Sequence, residues 1–500
     1  MKVDVVIVGS GISGLTAGAL LAKTGKQVVI LEKQKHFGGA IRRFRRNRIG
    51  FDVGFHYTGC LGDGEILDIL WRYCGVRSDI DVVSAGYGGY DQFEFIGGNE
   101  TIRGYFSYPR LAKELTHYFP TEKGGIDRYF REIQDICFKV PFYNTGLPLT
   151  PFLRGYKPRP RPLTSFLRSI TDNKRLRSIL TAPVFLYGVP VEKSALETHA
   201  LVAHGYYNGA YTIKGGGQAI VDAFLSSLKR TGAEIRSKSE VTSILVDQNK
   251  VIGVKMSNGE RIECSEVIFT GHPANLPAMV PASVFRPAYR TRLQTLKNSM
   301  SMFAVFGSSE KNVEQQREAL NYYLLPEKGA VLPAHHGVPL DQRPMMLTAA
   351  GCVQENSEPS ALNGISLLLL SYWQDVEKFA ASRQGERPAR YKRYKAEVAD
   401  KMLTIAADRW GHITGEITPL AVATPLTFRD KLSAPEGCSY GAMHCLDQYN
   451  PDVRTRLPGL YLCGQSTLMT GVAGASISGL VGAGEILGLE QFWKSLQVYR

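Results

Sequence analysis

The chain has 500 residues, 44% apolar and 21% charged, with a formal net charge of +13. Such a length supports two or three domains with a sizeable core, and such a composition is that of a soluble globular protein rather than a disordered or fibrous one. No apolar run is long enough to span a bilayer, and no nucleic-acid module is recognisable, so the positive charge points to a membrane surface or an acidic partner.

Val3 to Val8 is a short apolar run suited to one buried strand, and it breaks at Gly9. No leader is expected ahead of it, because the run is too short for one and belongs to the strand. Glycines fall at Gly9, Gly11 and Gly14, after which the apolar spacing turns helical through Leu15, Leu20 and Leu21 until Gly25. A second apolar run, Val28 to Leu31, leads into Glu32, 18 residues after Gly14. This is the dinucleotide fingerprint with its context: a sharp turn, a close approach of pyrophosphate to the backbone, a tight strand–helix contact, and a terminal acid for a ribose. The helix N-terminus supplies free N–H groups and the positive end of its dipole.

Lys33 follows Glu32, and after four intervening residues comes the pair Gly38-Gly39, then FDVGFHYTG from Phe51 to Gly59. In these motifs the chain resembles the FAD-binding flavoproteins of the amine oxidase and phytoene desaturase superfamily, most of all its carotenoid isomerase and retinol saturase branch. The resemblance implies an α/β fold with a discontinuous Rossmann-like FAD-binding domain and an α+β substrate-binding domain. At matching positions it implies cofactor contacts by Gly9, Gly11, Ser13, Gly14, Glu32, Lys33, Gly38, Gly39, Ala40, Ile41 and Gly54, with His56 on the turn that runs toward the flavin ring.

Further along, YGGYDQFEFIGGNETIRGYFSYP alternates aromatic and polar residues around glycine turns and reads as strands of another domain. Leu111 to Val140 reads as two helices broken between Pro120 and Gly125. The stretch from Pro141 to Pro190 is rich in Pro, Phe, Leu and Arg. Between Arg154 and Arg177 it holds eight basic residues (Arg154, Lys157, Arg159, Arg161, Arg168, Lys174, Arg175, Arg177) and one acid, Asp172. It reads either as an amphipathic lid lying on an anionic bilayer or as a solvated helix pair with an arginine-rich outer face. Lys214 to Gly217 opens a helix to Arg230, and three strands follow, the last two a hairpin around residues 246–249. The resemblance returns the chain here to the FAD domain, with Val241 as the adenine-contacting strand position and Gly271 at the end of the next buried strand. It implies an FAD domain of residues 1–76, 210–275 and 456–500, and a substrate domain of residues 77–209 and 276–455.

Leu460 to Cys463 reads as a strand, broken at Gly464, and a small-residue helix opens at Gly471. The resemblance aims that helix at the flavin pyrimidine edge, where its dipole favours negative charge, and implies contacts by Gly464, Gln465, Val472, Ala473 and Gly474. The eight scattered cysteines form no CxxC pair or zinc-ligand set, so they read as reduced thiols and no metal is expected.

With FAD present, the cofactor supplies hydride chemistry and the protein supplies orientation and a dry cavity. The candidate proton donors are His56, Tyr57 and Tyr211, with Tyr206 and Tyr207 beside the latter. The expected activity is FAD-dependent reduction of a carbon–carbon double bond in a long apolar polyene or isoprenoid. Carotenoid desaturation, cis–trans isomerisation, reduction of a polyene natural product, and a non-catalytic flavin- or lipid-binding role stay open. So do the electron partner, for which NAD(P)H docking transiently is one choice, and the oligomeric state. The expected location is cytoplasmic, at the inner face of a membrane, with no nucleic-acid partner.

Overall fold

The structure is a computed structural model and describes residues 1–155, 159–311, 313, 318–327, 336–349 and 363–500. The first apolar run forms strand β1 (Lys2–Val8), which lies between β2 (Val28–Leu31) and the long strand Arg261–Phe269, parallel to both. Glu234–Arg236 extends this sheet beyond β2, and Leu460–Leu462 pairs in parallel with Val267–Phe269. Five parallel strands thus gather segments far apart in sequence.

Parallel sheets need both faces covered, and the alternation of side chains shows how. Val5, Ile7, Val28 and Ile30 point into one core, which they share with the helices α1 (Ile12–Lys23), Gly216–Arg230 and Gly471–Leu487. Val6, Val29 and Leu31 point into the other, shared with the hairpin Val241–Asp247/Lys250–Met256. That hairpin turns at Gln248 and Asn249, both at positive φ (42° and 59°), the backbone that a tight two-residue hairpin turn requires. Its second strand pairs antiparallel with the first half of Arg261–Phe269.

A second sheet of seven strands runs in the order Ile417–Ala423, Ser301–Ser309, Asn363–Ser371, Met345–Thr348, Asn321–Leu325, Tyr90–Phe95, Thr101–Tyr105. All its pairings are antiparallel except Asn321–Leu325 with Tyr90–Phe95, which is parallel. The 26-residue helix Ala389–Thr414 packs on it, and Trp410 Nε1 donates to Glu94 at 2.9 Å. The strand Val82–Ser84 lies outside this sheet and pairs with Tyr211–Ile213.

The two expected helices form as Tyr108–Tyr118 and Lys123–Phe138, parted at Pro120. In the basic segment, Leu163 and Leu167 of the helix Leu163–Ile170 are buried, which fixes that helix to the body. Three of its arginines meet acids from distant parts of the chain. Arg154 pairs with Glu485 at 2.9 Å, Arg161 with Glu132 and Glu197 at 2.7 Å, and Arg175 with Glu100 and Glu327 at 2.6 Å. Lys157 and Cys352 lie outside the described residues, and the seven described cysteines are buried and unbridged. Among the described residues no helix is long and apolar enough to cross a membrane.

Candidate active site

The carboxyl ends of β1, Arg261–Phe269 and Leu460–Leu462 lie side by side, the place where open α/β sheets bind ligands. At the end of β1, Gly9 has φ +104°, which L side chains avoid, and a Cβ at Gly14 would overlap the Gly9 carbonyl oxygen. The helix α1 therefore starts hard against the strand end. Gly11 is different: its φ is −63° and a Cβ there would meet nothing within 4 Å. The mouth of α1 is open space.

Glu32 at the end of β2 is buried, and Ser10 holds one carboxylate oxygen with its N–H (3.0 Å) and hydroxyl (2.8 Å). Gln34 N–H donates to the other oxygen at 2.8 Å. Gly38 at φ +102° donates to the Ser10 carbonyl at 3.1 Å, and a Cβ at Gly39 would come within 3.2 Å of Gly11 Cα, so the double glycine folds over the mouth of α1. Ala40 and Ile41 continue as a short 3₁₀ turn, and Gly54 is exposed beside it, its Cβ position 3.3 Å from the Ala40 carbonyl. Behind Glu32, Ser239 N–H donates to the Glu32 carbonyl at 2.8 Å, two residues before Val241. Gly271 follows Thr270, whose N–H bonds the Val8 carbonyl (3.0 Å), and a Cβ at Gly464 would lie 3.2 Å from the Thr270 carbonyl.

The helix Gly471–Leu487 opens a second mouth, at Val472 and Ala473, which are half-buried; Gly474 behind them is buried against Met469. The Gln465 carbonyl accepts from His444 Nε2 at 2.8 Å. Ser13 is buried and its hydroxyl has no partner among the described residues. Lys33 stands apart from these residues, exposed and directed to the Ser433 hydroxyl.

Beside the second sheet lies a cavity of about 40 Å³, walled by Phe93, Tyr105, Phe106, Leu111, Leu115, Ile179, Leu186, Tyr206, Tyr207 and the cluster of Tyr57, Asp91 and Tyr323. This is well below the ~300–1,000 Å³ of small-molecule sites, so a long substrate needs these walls to part. Asn321 and Tyr323, two apart on one strand, share a face, and Asp91 faces them from the adjoining parallel strand. Asn321 Nδ2 donates to Asp91 at 2.7 Å, Tyr57 OH donates to the other Asp91 oxygen at 3.1 Å, and the Tyr57 and Tyr323 hydroxyls lie 3.0 Å apart. The Tyr206 ring packs edge-on to Tyr57. Burial pushes the Asp91 carboxyl up to about 7, against the pull of the Asn321 and Tyr57 hydrogen bonds, and holds the Tyr57 phenol well above its ordinary range.

Of the other candidate donors, His56 is not among the groups that wall this cavity. Burial first, and the charge of Arg43 second, lower its imidazole to about 4, so it is neutral, and its Nδ1 has no hydrogen bond among the described residues. Arg43 itself is tied to Asp52 at 3.1 Å, and Asp52 also accepts from Gly217 N–H at the start of the helix Gly216–Arg230. Tyr211 exchanges backbone hydrogen bonds with Thr58 (2.8 and 2.9 Å), which pins the loop that carries Tyr57, while its hydroxyl sits against Gly62 and Gly209. The sequence offered no mark for Asp91, which lies in a stretch read as strands alternating aromatic and polar residues, or for Asn321 and Tyr323, whose strand was not read from the sequence.

The open mouth at Gly11, the lid of Gly38 and Gly39, the acid at the end of β2 and the second helix mouth fit FAD. Fold and cradle together define an FAD-dependent oxidoreductase. The family follows from comparison: residues 159–487 match the flavin containing amine oxidoreductase model, residues 7–73 match an NAD(P)-binding Rossmann-like domain, and the chain belongs to the flavin containing amine oxidoreductase family. It is similar to the all-trans-retinol 13,14-reductases of Danio rerio (28% identical) and Homo sapiens (26%), each over 97% of this chain and 86% of the relative. The prolycopene isomerase of Daucus carota is 23% identical over 98% of this chain and 81% of its own. Among solved structures, an oxidoreductase from Methanosarcina mazei superposes with a TM-score of 0.64 at 15% identity, covering 96% of this chain and 99% of its own. Putrescine oxidase bound to putrescine superposes equally well at 14% identity, over 97% and 99%. These likenesses bear on the fold alone.

Proposed function

We propose that the protein reduces a carbon–carbon double bond of a long apolar polyene or isoprenoid, with a retinoid-like polyenol as the first choice. The observation that carries this reading is the cavity: aromatic and aliphatic walls, which suit a polyene, interrupted by buried hydroxyl and carboxyl groups that can give up a proton. The retinol reductases among the relatives support it. FAD, when bound, supplies the hydride chemistry. The first-turn amides of α1 and of the helix Gly471–Leu487 would hold its charged groups, Glu32 would accept from a ribose, and Ala40 and Gly54 would lie along it.

In this reading Tyr57 is the proton donor. It lines the cavity, whereas neutral His56 does not and Tyr211 is engaged elsewhere. The strands and helices of residues 1–76, 210–275 and 456–500 form the cofactor domain, and residues 77–209 and 276–455 the substrate domain. NAD(P)H docks transiently as electron donor. The protein works on the cytoplasmic surface of a membrane, from which it draws its substrate.

Isomerisation is the second reading, favoured by the carrot relative. One experiment separates them. The purified protein, loaded with FAD and reduced anaerobically with dithionite, is mixed with all-trans-retinol. A product heavier by one molecule of hydrogen, formed as the flavin reoxidises, supports reduction. An isomer of unchanged mass supports isomerisation, and failure to bind FAD overturns both.

A further inference from the structure

We propose that Asp91 stores, as a neutral carboxylic acid, the proton that refills Tyr57 after Tyr57 protonates the substrate; the proposal rests on the reductase reading above. The argument begins with hydrogen-bond capacity. Each Asp91 oxygen already has a partner: Asn321 Nδ2 can only donate, so its oxygen is a fixed acceptor, and the other oxygen faces the Tyr57 hydroxyl. The direction of that second bond depends on the carboxyl. When Asp91 is ionised, Tyr57 must donate to it, and the phenol proton is held against the carboxylate. When Asp91 is protonated on the oxygen facing Tyr57, it donates to the phenol oxygen, and the Tyr57 proton is released toward Tyr323 or the cavity. Protonation of Asp91 therefore decides where the Tyr57 proton points.

The surroundings keep this choice balanced near neutrality. Among the described residues, the titratable groups that act on Asp91 are phenols: Tyr57, Tyr323 from the adjoining strand, and Tyr206 from the helix Leu196–Tyr207. Burial opposes the charged carboxylate, the Asn321 amide partly favours it, and the carboxyl settles at about 7. A phenol with no such neighbour would be slow to recover its proton in an apolar cavity.

The step balances as follows. One carbon of the double bond gains hydride and the other gains the Tyr57 proton, so the substrate is reduced and the reduced flavin that supplies the electron pair is oxidised. The carboxyl proton of Asp91 then passes to the Tyr57 oxygen, and the resulting carboxylate takes a proton from water. Asp91 acts through Tyr57 and is a positioning and proton-storing residue.

The test uses the FAD-loaded protein and its Asp91→Asn and Tyr57→Phe variants. Asparagine keeps a hydrogen bond to Tyr57 and one from Asn321 but stores no proton. Reoxidation of dithionite-reduced protein by all-trans-retinol is expected to fall about 100-fold in Asp91→Asn. The wild-type rate is expected to decline as pH rises through about 7, and that decline should vanish in the variant. An Asp91→Asn rate within threefold of wild type, or one that keeps the decline, overturns the proposal. Infrared titration without substrate separates this from the substrate reading. A protonated-carboxyl band that disappears near pH 7, is lost in Asp91→Asn and shifts in Tyr57→Phe supports the store whether or not retinol is turned over. A band missing at pH 6, or unmoved in Tyr57→Phe, overturns it, and Tyr57→Phe serves where Asp91→Asn fails to fold.

Discussion

Gly479 lies directly on the Ser13 carbonyl, so close that a Cβ there would overlap the oxygen. This contact sets the distance between α1 and the helix Gly471–Leu487, and hence between the two helix mouths of the cradle. Gly479→Ala is expected to cost about 1–3 kcal/mol by overpacking and to weaken FAD retention on gel filtration. A variant that melts earlier yet binds FAD as tightly as wild type would show that the spacing does not matter to the cofactor.

Gly11 and Gly14 make opposite predictions from neighbouring positions. A Cβ at Gly11 meets nothing in the protein, whereas one at Gly14 overlaps the Gly9 carbonyl. Gly11→Ala should melt within about 0.5 kcal/mol of wild type while losing FAD affinity at least tenfold. Gly14→Ala should fail at folding. Thermal melts of FAD-free protein, paired with fluorescence titration of FAD, distinguish the two.

The pH dependence of stability has two opposing sources. Burial lowers His199 to about 3, and His56, His204 and His272 to about 4, so the unfolded chain takes up protons below 6.5 that the folded protein refuses. Stability from these groups is present above pH 6.5 and is lost on acidification, at about 1.4 kcal/mol per pH unit per group. Asp52 and Asp91, raised to about 7, act the other way: their contribution is full below about 4 and is lost as pH rises through 7. Asp91→Asn should therefore lose stability more steeply than wild type between pH 7 and 4, as read by urea unfolding at each pH.

Gly104 lines the cavity, and a Cβ there would overlap the Phe93 ring. Gly104→Ala must move that ring. The kcat/KM for retinol should fall about tenfold, as the loss of a methylene-sized fit does, while the flavin spectrum stays the same. Amines such as putrescine should leave the flavin oxidised in both proteins.

Membrane docking predicts sedimentation with phosphatidylserine vesicles that weakens as salt is raised from 50 to 300 mM. Equal recovery with neutral vesicles would exclude a role for the net charge. Because Arg154, Arg161 and Arg175 are held by carboxylates, replacing Arg168 should reduce binding more than replacing Arg161.

The cofactor half of the fold was legible because local sterics dictate it: a strand, glycines where a Cβ cannot fit, a helix and an acid stand in a fixed order. Val3–Val8, Gly14 and Glu32 take the places their spacing requires. In the rest of the chain single elements were legible, such as the helices Tyr108–Tyr118 and Lys123–Phe138, but their tertiary partners were not. In YDQFEF, Asp91 and Glu94 look like solvent-facing partners of Tyr90 and Phe93, but both faces of that strand are covered and both acids are buried. Their partners, Asn321 and Trp410, come from more than two hundred residues away, where no periodicity can point. The basic segment hides its ion pairs for the same reason: a run with one acid of its own draws on Glu100, Glu132, Glu197, Glu327 and Glu485.

The strand Arg261–Phe269 is shared between the hairpin before it and the strand Leu460–Leu462 after it, and β1 lies along its other edge. A ribosome releasing this chain has therefore delivered the glycine fingerprint hundreds of residues before its second helix mouth exists. Until residues 460–487 emerge, Val267–Phe269 presents an unpaired edge and α1 an uncovered flank of small residues, surfaces that invite association with other chains. Newly made protein thus passes through a long interval of vulnerability, and a supply of FAD can shorten it only at the end, once both halves of the cradle have met.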